Sequence, residues 1–236
     1  MDGMDINDHR HAIRKQIGYL PQDFTFFSKL KTWEFLDYAA QLSTSLKRKE
    51  RLAKVDRLLD QVGLLDVRDR MANKLSGGMK RRLGIAQALI GEPRLLVIDE
   101  PTTGLDPEER IRFRNILSDL SQRDVTIILS THIVADISST CHNMAMLNKG
   151  EVAFKGSPED MIEQVRGHVW QIVLDDHEFT TLKAKYPVVS TIPADGKWEV
   201  QVIANDQPHP AAQTANPNLE HAYVYFMENQ LGVSLV

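Results

Sequence analysis

Apolar residues in the first half of the chain follow two spacings, one typical of buried strands and one typical of amphipathic helices. Residues 95–98 form a short, fully apolar run between turn-forming residues, and residues 125–129 repeat this pattern. Such runs predict strands buried on both faces of a parallel sheet. Ile17–Leu20 predicts a third, brief strand that Pro21 ends, and the alternation over residues 1–6 predicts the end of another.

Helix-forming segments with recognisable starts lie between these strands. Residues 32–42 predict one helix, and residues 52–62 carry apolar side chains three and four positions apart, which predicts a second. Ser76 is a typical N-cap for a third helix, and Asp106 followed by Pro107 is typical of the start of a fourth. Because strands and helices alternate, the sequence predicts an α/β core.

The pattern changes near residue 167. Just before it, residues 144–154 predict a β-hairpin. Beyond it, the pattern predicts the order β-α-β-β-α, with strands at 169–174, 188–192 and 198–203 and helices at 177–186 and 219–229. We therefore expect one domain at residues 1–166 and a small α+β domain at residues 167–236.

Composition and charge indicate a folded globular protein and argue against some classes of partner. Of 236 residues, 42% are hydrophobic and 25% are charged, which is ordinary for a folded globular protein. The net charge of -4 gives no overall attraction to phosphate backbones, so we expect no nucleic acid partner. Cys141 is the only cysteine, which favours a reducing compartment. No apolar run approaches the roughly 20 residues that span a bilayer, so membrane association is expected to go through a partner.

Two adjacent carboxylates, Asp99 and Glu100, follow the apolar run at 95–98. Open α/β sheets bind ligands where their strands end, and Mg²⁺ prefers hard oxygen ligands. Asp99 is therefore a candidate ligand for Mg²⁺, and Glu100 is a candidate for orienting the water that attacks a phosphoryl group. The alternative is that both are ordinary exposed turn acids.

Ser76, Gly77 and Gly78 form a second candidate site. A hydroxyl cap followed by two residues without side chains leaves backbone N–H groups open at the positive end of a helix, which favours an anion. The alternative is a glycine-rich turn that only precedes a helix.

Five short motifs follow one another along the chain: Gln22, LSGGM at 75–79, Asp99 with Glu100, GLD at 104–106, and His132. In this order they resemble the motifs of the nucleotide-binding domain of ABC transporters, and the resemblance covers about residues 1–166. It implies a P-loop-NTPase-like (RecA-like) core with a helical signature subdomain at about residues 31–92.

The resemblance implies ATP and Mg²⁺ as cofactors and a hydrolytic role for four residues. Gln22 resembles the Q-loop glutamine that contacts Mg²⁺ and senses the membrane subunit. Asp99 resembles the metal-site aspartate, Glu100 the catalytic base, and His132 the switch histidine that contacts the γ-phosphate.

The resemblance also implies a second nucleotide-binding domain, in a homodimer or a heterodimer. Ser76, Gly77 and Gly78 resemble the signature that closes over the other subunit's nucleotide, and Asp106 resembles the D-loop aspartate that links the two sites. Transmembrane permease subunits are the other implied partners, with this chain lying peripherally on the cytoplasmic face of the membrane.

The segment 217–223 is similar to the closing helix of ABC-2-type exporters, so export is the favoured direction. A soluble ABC ATPase of translation or repair is the less favoured alternative. Such proteins usually carry two cassettes or long coiled-coil insertions, and the sequence shows neither.

The sequence departs from the family at the phosphate-binding loop. A P-loop needs glycines followed by Lys and then Ser or Thr, but the Gly-Lys pair at Gly196 and Lys197 is followed by Trp198. We therefore expect an N-terminally truncated cassette that binds MgATP poorly by itself, and whether it is an ATPase stays open. The alternative function is a non-catalytic cassette that only supplies its signature to a partner's ATP site.

Overall fold

The computed structural model describes residues 1–25, 29–229 and Gly232, and it has the α/β architecture that the sequence predicts. The chain folds into two compact units, Met1–His132 and Ile133–Val236. A parallel sheet lies in the first unit, and antiparallel sheets lie in the second. The domain boundary expected after residue 166 stays a prediction.

Among the described residues, the parallel sheet has three strands in the order β1-β2-β3. They are β1 (Ile17–Leu20), β2 (Leu95–Asp99) and β3 (Thr126–Ser130). These bounds confirm the predicted strands to within one residue. Residues 1–6 form turns instead of the predicted strand end, because six residues of weak alternation find no partner strand among the described residues.

The described part of the first unit contains the four predicted helices, the second of which begins four residues earlier than predicted, and one shorter helix. They are α1 (Arg10–Arg14), α2 (Thr32–Ser43), α3 (Arg48–Gln61), α4 (Gly77–Leu89) and α5 (Pro107–Ser121). Short 3-10 turns at Leu65–Val67 and Ala72–Lys74 connect α3 to α4. The buried side chains of α2 to α5 pack with those of β1 and β2 in one hydrophobic core.

The parallel sheet has one covered face and one open face. Leu20, Leu96 and Ile98 are fully buried, whereas Tyr19 and Ile128, on the other face, are each 54% exposed. The prediction that the strands are buried on both faces is therefore wrong for this structure. Both crossovers step across the sheet in the same direction, so right-handed connections place α4 and α5 on the same face.

The second unit combines helices with antiparallel strands. Its elements are α6 (Val134–Thr140), β4 (Met144–Asn148), β5 (Glu151–Gly156), α7 (Pro158–Glu163), β6 (Val169–Leu174), α8 (Asp176–Lys183), β7 (Val188–Ala194), β8 (Lys197–Ile203), β9 (Gln213–Thr214) and α9 (Leu219–Asn229). Strands β4 and β5 form the predicted hairpin, and the larger sheet has the order β7-β8-β6-β9.

The predicted order β-α-β-β-α after residue 167 is confirmed by β6, α8, β7, β8 and α9. The sequence patterns do not predict β9, which is only two residues long, or α6. Among the described residues, no helix has both the length and the apolar character needed to cross a bilayer.

Candidate functional site

The carboxyl ends of β2 and β3 position the Asp99 side chain. Asp99 lies beside Ser130 in the sheet, and the Ser130 hydroxyl donates a hydrogen bond to Asp99 Oδ1. The Ser130 carbonyl accepts a hydrogen bond of 3.1 Å from the Glu100 N–H. The last residue of the neighbouring strand therefore orients both predicted carboxylate residues.

Glu100 occupies an unusual backbone conformation directly after β2. Its φ of 45° lies in the left-handed region, which residues other than glycine rarely adopt. Its Oε2 atom lies 2.8 Å from His132 Nδ1 and accepts a hydrogen bond of 3.1 Å from the Thr103 hydroxyl. The Glu100 side chain is 19% exposed and that of His132 is 68% exposed. The two predicted catalytic side chains therefore lie in contact near the protein surface.

The predicted signature residues begin α4. Ser76 is the N-cap, and its hydroxyl accepts a hydrogen bond of 3.2 Å from the Met79 N–H. A Cβ atom on Gly77 would meet no atom within 4 Å, whereas one on Gly78 would lie 2.3 Å from Glu109 Oε2. Gly77 therefore leaves the start of the helix open, and Gly78 makes room for a neighbouring side chain.

Asp106 begins α5 and is linked to the signature helix through Glu109. Its carboxylate accepts a hydrogen bond of 2.9 Å from the Glu109 N–H. The Glu109 carboxylate accepts hydrogen bonds from Arg82 Nε and Nη2, at 3.2 and 3.3 Å. Arg82 also donates to the carbonyls of Val62 and Gly63, both at 2.9 Å. The second turn of α4 and the first turn of α5 are thus joined by a nearly buried ion pair.

Gln22 lies in the Gln22 loop, residues 21–25, which follows β1. One arginine connects its backbone to the Glu100 turn, residues 100–104, which follows β2. Arg81 Nη1 donates to the carbonyls of Pro21, at 2.9 Å, and of Gln22. Arg81 Nη2 and Nε donate to the carbonyls of Glu100, at 3.2 Å, and Pro101, at 3.1 Å.

The oxygen donors near Asp99 suit Mg²⁺, which prefers carboxylate, amide and hydroxyl oxygens and keeps several waters or phosphate oxygens. Asp99 offers a carboxylate and Ser130 a hydroxyl, and the exposed Gln22 offers an amide. Within the described part of the chain, no hydrogen bond joins the Gln22 side chain to Asp99, and no group of three or more His, Cys, Asp or Glu could hold a metal. Additional ligands would therefore have to be water or phosphate oxygens.

Sequence reasoning missed several residues of this site, namely Arg81, Arg82, Thr103, Glu109 and Ser130. The position of Ser130 could have been predicted from the sequence, because the last residues of adjacent parallel strands meet at one sheet edge. The roles of the two arginines could not have been predicted. Helix α4 carries three consecutive basic residues, and only the folded chain shows which of them face the interior.

The family profile described as ABC transporter matches residues 1–103. The lipopolysaccharide export system ATP-binding protein LptB of Haemophilus influenzae is 32% identical over 171 residues, which are 70% of this chain and 70% of that protein. The methionine import ATP-binding protein MetN 2 of Burkholderia pseudomallei is 33% identical over 215 residues, which are 89% of this chain and 51% of that protein.

A solved structure of CbiO1 from Clostridium perfringens, described as part of the ABC transporter complex CbiONQ, matches with a TM-score of 0.59 and 30% identity. The match covers 64% of this chain and 61% of that chain, and it agrees with the predicted P-loop-NTPase-like core. The chain spans from 48% to 60% of the length of several curated relatives. By its likeness to proteins such as LptB, matched over most of both chains, this chain belongs to the family of ABC transporter ATP-binding proteins.

Proposed function

We propose that this chain is the ATP-binding subunit of an ABC transporter, or the larger part of one, and that its two candidate sites act on nucleotide in a dimer. The contact between Glu100 and His132, beside the Asp99–Ser130 pair, is the observation that carries the proposal. It gathers a carboxylate, an imidazole and a metal-binding oxygen at the sheet edge where α/β proteins bind ligands.

In the hydrolytic half of the site, Glu100 orients and deprotonates the attacking water. Thr103 and His132 hold its Oε2 atom, which leaves Oε1 for the water. His132 is exposed enough to reach a γ-phosphate presented from solvent. Asp99 and Gln22 would hold Mg²⁺, which neutralises phosphate charge during phosphoryl transfer.

In the signature half of the site, the start of α4 binds the nucleotide held by a second subunit. The Ser76 hydroxyl and the first N–H groups of a 13-residue helix favour an anion at this end. The empty space beside Gly77 lets a phosphate or another backbone approach closely. Asp106, the N-cap of α5, links the two nucleotide sites across the dimer.

A phosphate-binding loop would come from polypeptide outside these 236 residues, because their sequence contains no glycine-rich loop ending in Lys and Ser or Thr. This observation favours a second candidate function, in which the chain only supplies its signature to a partner that owns such a loop. The two functions differ in whether Glu100 of this chain is used.

We further propose permease subunits as partners, a peripheral position at the cytoplasmic face of the membrane, and export as the direction of transport. The helix start at 217–223 and the likeness to LptB, a protein named for export, support this direction. The likeness to MetN 2, a protein named for import, supports the opposite one. Transport assays with the permease partners of this chain would decide the direction.

The experiment mixes this chain with a homologous cassette that has a phosphate-binding loop and measures MgATP-dependent association by analytical ultracentrifugation. We expect association with the wild-type chain and its loss with Ser76→Arg, because the arginine blocks the open helix start. Ser121→Arg, at the exposed last residue of α5, is the matched control and should associate normally. If Ser76→Arg associates as well as Ser121→Arg, the signature role is wrong.

Hydrolysis by the same mixture separates the two functions. If Glu100 of this chain is the base, Glu100→Gln should lower ATP turnover attributable to its site by about 10²-fold or more. If the chain only supplies its signature, Glu100→Gln should leave turnover unchanged while Ser76→Arg abolishes it.

A further inference from the structure

The Arg81 side chain is unusual because its guanidinium donates hydrogen bonds only to backbone carbonyls among its described contacts. Two of these carbonyls, on Pro21 and Gln22, lie at the end of β1. The other two, on Glu100 and Pro101, lie at the end of β2. One side chain of α4 therefore connects two segments that follow adjacent strands.

This arrangement keeps a cation in a partly desolvated place without a carboxylate bonded to it. Burial lowers the pKa of Arg81, and the nearby charges of Asp23 and Asp99 oppose that effect. The guanidinium nevertheless stays protonated at neutral pH, because the ordinary pKa of an arginine lies far above 7. Its planar set of N–H donors suits several carbonyls at once, which a lysine ammonium could not reach together.

The Glu100 turn needs such a restraint. A non-glycine residue in the left-handed region is strained, and it keeps that conformation only where its surroundings hold it there. The Glu100 N–H is held by the Ser130 carbonyl, and the Glu100 carbonyl is held by Arg81. Together these bonds fix the direction of the Glu100 side chain toward His132 and Thr103.

We propose that Arg81 is a positioning residue that makes the Gln22 loop and the Glu100 turn move as one body, so that the placement of Gln22 sets the orientation of the Glu100 carboxylate. The catalytic part of this inference rests on the proposed function of Glu100. Its structural part, the coupling of the two segments, rests only on the hydrogen bonds of Arg81.

The structural test is a crystal structure of the full chain carrying Arg81→Met, which keeps the length of the side chain and removes its donors. We expect Glu100 to leave the left-handed region and the Gln22 loop to shift, with α4 unchanged. Arg112→Met, which removes an exposed arginine of α5, is the control and should change neither loop. A φ of Glu100 that stays near 45° in Arg81→Met would overturn the proposal.

The functional test is ATP hydrolysis by the mixture with a loop-bearing homologue. Arg81→Met should lower kcat roughly ten- to hundredfold and leave the KM for ATP within about twofold, because orientation is lost while binding is kept. Arg81→Lys, which should fold even where Arg81→Met does not, should recover only part of kcat. A raised KM with unchanged kcat, or full activity in Arg81→Lys, would contradict a positioning role. A wild-type mixture without hydrolysis would refute the proposed function instead, and the crystal structures would then decide the role of Arg81.

Discussion

At the scale of single residues, the two adjacent signature glycines have different neighbours. Space is open around Gly77, whereas Gly78 faces the Glu109 side chain. Glu109 cannot easily move aside, because Arg82 holds its carboxylate with two hydrogen bonds. Gly77 therefore leaves open space at the start of α4, whereas Gly78 leaves space for an interior side chain.

We predict that Gly78→Ala destabilises the chain by about 1–3 kcal/mol, the usual effect of overpacking a tight site. Gly77→Ala should change the free energy of unfolding by less than about 0.5 kcal/mol, because the new methyl group meets no atom within 4 Å. Urea denaturation followed by circular dichroism measures both. Equal stabilities for the two variants would show that Glu109 is not held as the structure describes.

A second residue-scale effect concerns His221, which is 2% exposed in the second unit. Its Nδ1 accepts from the Asn218 N–H, and its Nε2 lies 3.0 Å from Gln201 Oε1. Burial lowers the pKa of His221, and the nearby Glu220 opposes this only in part. The folded state therefore favours the neutral ring. The stability that His221 contributes is present above its ordinary pKa of 6.5 and is lost as the pH falls below it.

We predict that His221→Leu destabilises the chain by about 1–3 kcal/mol at pH 7.5, because it leaves a buried amide group without its partner. The difference from wild type should shrink between pH 7 and pH 5, since only the wild type then loses stability through this ring. Thermal melts across that pH range measure the effect, and His177→Leu, at an exposed position of α8, is the control. A difference that grows as the pH falls would mean that the sign of the pKa shift is wrong.

At the scale of elements, Arg82, in the second turn of α4, connects that helix to the start of α5 and to the end of α3. This arginine is nearly buried and bonds to Glu109 and to the carbonyls of Val62 and Gly63. Helix α5 also offers a natural comparison, because Arg112 and Glu108 form an ion pair on its exposed surface.

We predict that Arg82→Ala destabilises the chain by about 3–5 kcal/mol. The substitution leaves the largely buried Glu109 carboxylate without its ion-pair partner and the carbonyls at the end of α3 without donors. Arg112→Ala should lower the free energy of unfolding far less than Arg82→Ala does, because an exposed ion pair is screened by water. Denaturant unfolding of both variants gives the comparison. If the two losses are the same, the contacts of Arg82 do not join the helices energetically.

At the scale of the whole molecule, one buried cluster crosses the domain boundary that the sequence predicts after residue 166. Met161 and Val165, before the expected boundary, share a buried cluster with Val169, Leu219 and Phe226, beyond it. Side chains from α6, β4 and β5 pack against the same cluster. Residues 133–166 therefore contribute to the core on which α9 lies.

We predict that a fragment of residues 133–236 unfolds cooperatively on heating, whereas a fragment of residues 167–236 does not. The shorter fragment keeps the cluster around Ile172 and Val200, but it loses Met161 and Val165 from the other cluster and the side chains of α6, β4 and β5 that pack against it. Calorimetric melts and amide NMR spectra of the two fragments provide the measurement. A cooperative melt of the shorter fragment would support the boundary expected from the sequence.

Local signals explain which features could be predicted from the sequence. The N-caps at Ser76 and Asp106 depend on residues within one helical turn, and strand β1 depends on four apolar positions with a proline after them. The open face of the parallel sheet could not be predicted, because an apolar run does not show which side its crossover helices cover. The role of Arg81 was also hidden, since its partners lie about 20 and 60 positions away along the chain.

The contrast between Gly77 and Gly78 also has a genetic consequence. Under the proposed signature role, a chain altered only at Gly77 should fold, accumulate to normal levels and enter complexes with unaltered partners, where it disables shared sites. Such alleles should be dominant. A chain altered at Gly78 loses stability, and a loss of about 1–2 kcal/mol is enough to lower abundance several-fold in a cell. Those alleles should be recessive, because too little of the altered chain survives to interfere.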